Sequence, residues 1–341
     1  MTDDAVPEDA ATDGDVAGDD LPDDALAEEV RSELGRAHDV VAVAAVVPDG
    51  SRAGVVGAPA DARLEIGSVS KGLTGMLYAD ALTRGEVAPT TPLGSLLPAL
   101  DGSPAGGVTL ASLATHTSGL PRLPAAMQPW RRTVALCRHG TNPYGDSLEE
   151  TLAQARAVAL GRPRFGYSNL GFALLGHAVA AAAGRPYRRL LTERLGSPLD
   201  LELHVAHSPD ELGPRDLSGR SRGGRPRERW TGEGIAPAGG VRTTAASLAR
   251  LLRALVGGTA PGAGALDPVA PIGRDAAVGA GWVTTTTPDG GSVTWHNGGT
   301  GGFRSWVGVD RAAGTGFAVV SATSSSVDRV GFRRLKSLAA P

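Results

Sequence analysis

The chain has 341 residues, a formal net charge of −3, and 41% hydrophobic but only 4% aromatic residues. That is enough apolar material for one large or two moderate domains, with a core of Ala, Val and Leu. A single cysteine, Cys137, excludes an internal disulfide and a cysteine-based zinc site, and no apolar run reaches the roughly 20 residues of a membrane-spanning helix.

The charge is unevenly placed. Residues 1–30 carry twelve acidic and no basic side chains, leaving 24 acidic and 33 basic for the remainder. Such an acidic, apolar-poor block predicts a disordered tail over residues 1–24. No basic stripe is interleaved with aromatics, so no nucleic-acid partner is expected. The N-terminus lacks the basic and apolar regions of a secretory signal, which predicts a soluble cytoplasmic protein without a membrane partner. With no heptad pattern and no long apolar edge, a monomer is expected.

In chain order, a helix begins with Asp23 or Asp24 as its cap, carries Leu26, Val30 and Leu34 on one stripe, and stops at Gly35. Val40–Val47 and Arg52–Val56 flank Pro48-Asp49-Gly50 and predict a hairpin. A short strand, Ala62–Ile66, runs into Ser68, after which Val69, Leu73, Leu77 and Ala81 keep helical spacing up to Gly85. Residues 89–234 read as helices and long loops, including an apolar helix Leu170–Ala183 closed by Gly184. Residues 208–234, rich in Pro, Gly and Arg, read as a surface excursion. Strands return at Ala277–Thr285, Ser292–Trp295, Arg304–Asp310 and Gly316–Ala322. Turns fall at Pro288-Asp289-Gly290 and Arg311–Gly314, and a helix Val327–Leu338 follows with Val327, Val330 and Leu335 inward. Strands at both ends with helices between predict one sheet built from the two termini, over 25–88 and 235–341, with a helical subdomain at 89–234.

Only two lysines, Lys71 and Lys336, accompany thirty-one arginines, and Lys71 stands three residues after Ser68. On a first helical turn those side chains share a face, so an amine can take the proton of the hydroxyl. Arginine, always protonated, cannot do this. In isolation the pair also fits a serine cap followed by a surface lysine. Three further segments bear on it. In Phe165–Gly171, Tyr167 and Asn169 precede a helix two residues apart, where a phenol can share a proton and an amide can both donate and accept. In Trp295–Gly302, a strand carrying His296 runs into glycines, whose backbone N–H groups suit an oxyanion hole. His116, in His116-Thr117-Ser118-Gly119-Leu120, reads as structural. Arg242 and Arg304 are candidates for an anionic contact or for salt bridges.

In this order and spacing the four motifs resemble the serine β-lactamase-related superfamily. That group comprises class C β-lactamases, D-Ala-D-Ala carboxypeptidases, D-aminopeptidases and family VIII esterases. The resemblance runs from residue 25 to 338. It rests most on Ile66–Lys71 and Tyr167-Ser168-Asn169, with His116–Leu120 and Pro237–Thr244 as further signatures. It implies an α+β fold in α/β/α layers, with an antiparallel sheet flanked by helices and an inserted, mostly helical subdomain. It also implies Ser68 as acylated nucleophile, Lys71 and Tyr167 as the base pair, and Asn169 as substrate positioner. The amides of Ser68 and Gly299 would form the oxyanion hole, with His296 and Gly298 beside the substrate. No cofactor or metal is implied.

One motif departs from the pattern. Where β-lactamases have Lys-Thr-Gly, this chain has His296-Asn297-Gly298. A histidine, with an ordinary pKa of about 6.5, is a poor permanent anchor for a substrate carboxylate. The expected activity is therefore hydrolysis of a small ester or D-amino-acid amide or peptide through an acyl-enzyme. A class C-like β-lactamase or D-Ala-D-Ala carboxypeptidase taking a β-lactam-like substrate is one alternative, and a non-catalytic binding protein is another.

Overall fold

The computed structural model describes residues 21–288 and 290–339. Most of the expected acidic tail, and Asp289 of one expected turn, lie outside the described residues. Residues 21–24 do not belong to a tail: Leu21–Pro22 pairs in parallel with the hairpin and Asp24 already starts a helix.

In chain order the strands are β1 Leu21–Pro22, β2 Val41–Val47, β3 Gly50–Val56, β4 Leu64–Glu65, β5 His204–Val205 and β6 Val241–Thr243. They continue as β7 Ala270–Pro271, β8 Ala276–Val278, β9 Val283–Thr286, β10 Ser292–Gly299, β11 Arg304–Asp310 and β12 Thr315–Ser321. Nine of them form one sheet in the order β1-β3-β2-β12-β11-β10-β9-β8-β7. Every pairing in it is antiparallel except β1 with β3. The two ends of the chain thus meet at β2 and β12, in the middle of the sheet.

Period-two alternation sorts each central strand between two cores. In β2, Val41, Val43 and Ala45 face a cluster with Trp306, Phe317, Val319 and the helices Asp24–Leu34 and Asp328–Leu338. Ala42, Ala44 and Val46 face the larger core with Leu248, Leu252 and Leu255 of the helix Ala245–Val256. Helices therefore cover both faces, giving α/β/α layers, and a strand buried on both sides reads as a continuous apolar run. The first helix is capped as expected: Leu26 N–H donates to Asp23 Oδ1 at 2.8 Å, and Gly35 ends it at φ 88°.

Three expectations change. The strand before Ser68 shrinks to Leu64–Glu65 and joins β5 and β6 in a separate three-stranded sheet. The strand expected over 277–285 is broken into β8 and β9, because Trp282 leaves the ladder and sinks completely into the core. There its indole N–H donates to the Gly72 carbonyl at 3.2 Å. Gly281, at φ 77°, lets the chain pass within contact of the Lys71 carbonyl.

The segment 208–234 is not a loose excursion. Asp216 is buried and takes Arg63 at 3.0 Å, Leu217 N–H donates to the Arg63 carbonyl, and Arg220 N–H donates to the Ala322 carbonyl. Tight backbone approaches such as Gly219 against Gly302 tie it down, while its arginines lie partly or fully exposed.

Candidate active site

Ser68 sits in a single 3₁₀ turn, Gly67–Val69, that leads straight into the helix Ser70–Thr83. The turn is pinned from three sides. Gly67 has φ 52°, and a Cβ there would lie 2.6 Å from the Gly299 nitrogen, so glycine is required on two counts. Ser305 Oγ donates to the Ile66 carbonyl at 2.7 Å, and Val241 N–H donates to Ser70 Oγ at 3.2 Å. Ser68 itself remains partly exposed.

Lys71 is fully buried one turn further on. Its Nζ lies 3.2 Å from Ser68 Oγ, 2.5 Å from the Ala238 carbonyl and 4.9 Å from the centre of the Tyr167 ring. No carboxylate pairs with it among the described residues. Burial pushes its pKa far below the ordinary lysine range, and the positive charge of Arg122 acts in the same direction. The dipole at the helix start also disfavours an ammonium there. A neutral amine can donate to Ala238 while its lone pair faces the serine hydroxyl.

Tyr167 stands across from it, its ring centre 4.9 Å from the Lys71 amine. Burial raises its phenol to about 12, against the lowering by Ser68 and by Arg122. The phenol therefore keeps its proton at neutral pH. Asn169 opens the helix Asn169–Ala182, and its Oδ1 is buried without a hydrogen-bond partner. An unpaired buried acceptor costs roughly 1–3 kcal/mol unless a ligand N–H meets it.

His296 lies on β10, and the strand continues through the first glycines to Gly299. It is buried, and its Nδ1 lies 2.5 Å from the Asn297 carbonyl, which can only accept, so Nδ1 carries the proton. Burial, and then the neighbouring Lys71, lower its pKa to about 3. It is neutral where a lysine would be charged. Gly298 lies against the serine turn: a Cβ there would be 2.0 Å from the Ile66 carbonyl and 3.0 Å from the Ser68 nitrogen. Ser68, Lys71, Tyr167, Asn169, His296, Gly298 and Gly299 therefore line one locus.

A family model described as Beta-lactamase matches residues 26–340. The chain belongs to the beta-lactamase family. Among curated relatives of this family member, a D-alanyl-D-alanine-carboxypeptidase/endopeptidase, AmpH, of Escherichia coli (strain K12) is 32% identical over 173 residues, 49% of this chain and 42% of that protein. A beta-lactamase of Pseudomonas fluorescens is 26% identical over 186 residues, 54% of this chain and 48% of its own. The matched stretches thus span about half the length of these relatives. Among solved structures, a class C beta lactamase from Rhodobacter sphaeroides superposes with a TM-score of 0.72 at 21% identity, covering 92% of this chain and 97% of that one. A D-alanine carboxypeptidase AmpC from Burkholderia cenocepacia gives 0.73 at 23% identity, covering 91% and 99%. These structural likenesses show the shared fold.

Three further residues shape this beta-lactamase-family site. His116 adopts φ 58°, stacks 4.7 Å from the Tyr167 ring, and holds both ends of the second motif: Nδ1 accepts from Ser168 N–H and the carbonyl accepts from Gly166 N–H. Ala238 contributes only a carbonyl, inside a segment legible merely as a signature. Arg122 lies with its guanidinium 5.3 Å from the centre of the Tyr167 ring. Of the two candidate anion contacts, Arg242 is withdrawn: it is buried against Glu65 at 2.9 Å. Arg304 instead donates to the Thr300 and Phe303 carbonyls, both at 3.0 Å.

Proposed function

We propose that the protein is a serine hydrolase that forms an acyl-enzyme on Ser68 from a small ester or a D-amino-acid amide or peptide. The observation that carries this reading is the buried Lys71 amine, 3.2 Å from a solvent-reachable serine hydroxyl and paired with no acid. In this mechanism Lys71 takes the Ser68 proton as Oγ attacks the carbonyl. Tyr167, whose phenol keeps its proton, relays that proton to the leaving group. The amides of Ser68 and Gly299 stabilise the oxyanion, and the free Asn169 Oδ1 receives a substrate N–H. Water then releases the acyl group by the reverse proton path.

The relative named a carboxypeptidase/endopeptidase favours a peptide ending in D-amino acids as one substrate class to test, with a β-lactam as the second. Against efficient β-lactam turnover stands His296, neutral where a carboxylate anchor would carry charge. The test uses p-nitrophenyl esters, D-alanyl p-nitroanilide and a chromogenic cephalosporin, together with labelling by a serine-directed fluorophosphonate. Ester or anilide turnover and labelling, both abolished in Ser68→Ala, are expected. Labelling that persists in Ser68→Ala would overturn the assignment, and a wild-type protein that neither labels nor turns over would leave a binding protein.

A further inference from the structure

Arg122 occupies an unusual place. It follows the His116–Leu120 motif in a loop, and its backbone carbonyl accepts from both Asn169 N–H at 3.1 Å and Leu170 N–H at 3.2 Å, the first amides of the Asn169–Ala182 helix. Its guanidinium then lies over the Tyr167 ring, the ring that Lys71 Nζ approaches to 4.9 Å. The residue is thus held by its main chain at one end and by its side chain at the other. Its side chain is solvent-facing, yet it forms no ion pair with an acid among the described residues. A guanidinium without a counter-ion at a cleft wall projects its charge onto whatever the wall contains.

That wall holds a uniform set of groups. Facing Lys71 and Tyr167 are His116 from the loop before the second motif, His296 from β10, Tyr144 from the 140–147 segment, and Arg122 itself. None is acidic, so nothing among them offsets the arginine. We propose that Arg122 is a positioning residue of this site, whose unpaired guanidinium, stacked on Tyr167, disfavours a second cation at Lys71 and so keeps that amine free to act as base. The direction agrees with the shifts at both neighbours: Arg122 acts on the Lys71 amine and on the Tyr167 phenol towards the deprotonated form. The inference rests on the proposed role of Lys71, and it is measured without relying on activity.

Because Lys71 and Lys336 are the only lysines, a protein carrying isotope-labelled lysine Cε gives two resolvable NMR titrations, one buried and one from the C-terminal helix. In Arg122→Gln the Lys71 midpoint should rise by on the order of half a pH unit, while Arg122→Lys, which keeps the charge, should leave it nearly unchanged. High salt should move the wild-type midpoint towards that of R122Q, since an exposed charge is screened. The acid limb of labelling by an uncharged fluorophosphonate should shift upward with the midpoint. An unmoved Lys71 midpoint in R122Q overturns the inference, as does an equal shift in Arg122→Lys, which would mark a loop distorted by the loss of arginine geometry. If the midpoint shifts but no variant labels, the electrostatic role stands and the hydrolase reading fails.

Discussion

At the scale of the residue, the site is a set of groups held uncharged by burial. His296, with its pKa near 3, stays neutral in the fold above that pH and there takes up a proton only on unfolding. Its unfolded pKa is about 6.5, so the stability it contributes is present above that value and is lost as pH falls towards 3. The loss is about 1.4 kcal/mol per pH unit for this one group. Urea titrations of the wild type at falling pH should therefore show a declining midpoint, and His296→Gln should flatten the decline. An unchanged slope in that variant would mean that the histidine is not held neutral. At this scale the sequence was informative where function is local. Ser68 and Lys71 lie three apart and Tyr167 and Asn169 two apart, so each pair could be proposed from a short stretch of sequence. Ala238 was not legible, because it acts through a carbonyl that any residue would supply, 167 positions from Lys71. Arg122 was hidden for a different reason: with thirty-one arginines in the chain, none stands out by type.

At the scale of the element, the decisive contact is between β10 and the turn that carries the nucleophile. Gly298 packs so closely there that a methyl group would meet the Ile66 carbonyl at 2.0 Å and Ser305 Oγ at 2.3 Å. Gly298→Ala should push the strand off the turn, at a cost of about 1–3 kcal/mol in stability. The larger effect should be on chemistry, because a displacement near 1 Å at such a site costs on the order of a hundredfold. Fluorophosphonate labelling rates measured beside thermal unfolding separate the two, and a variant destabilised but labelled at the wild-type rate would show that β10 does not position Ser68. Strand existence was legible for β2, β3, β10, β11 and β12, which adjoin turn signals in the sequence. The break between β8 and β9 was not, because residues 277–285 keep strand-like composition through it. What breaks the ladder is Trp282 seeking the Gly72 carbonyl, a partner 210 residues away.

At the scale of the whole molecule, a buried charge network ties the small sheet to the segment 208–234. Arg242 on β6 pairs with Glu65 on β4, Asp216 holds Arg63 and His204, and the Glu65 carboxylate also accepts from Trp230 N–H. Removing one partner leaves another charge buried, so Asp216→Ala should cost about 3 kcal/mol or more by urea denaturation. A loss under 1 kcal/mol would indicate that water reaches the network. The surface reading holds for Arg220, Arg222 and Arg225, which are exposed; what composition could not show is that Asp216 anchors the segment to Arg63, a partner 153 residues away. The meeting of β2 and β12 has its own consequence. The Ser321 hydroxyl donates to the Val40 carbonyl across 281 residues of sequence. During synthesis, β2 leaves the ribosome as Val-Ala-Val-Ala-Ala-Val-Val with one edge open, and its partner β12 follows only far later in the chain. An apolar edge left unpaired for that long is a template for association between chains. A nascent chain stalled before β12 would carry Ser68 and Lys71 and still aggregate through Val41–Val47 before any site had formed.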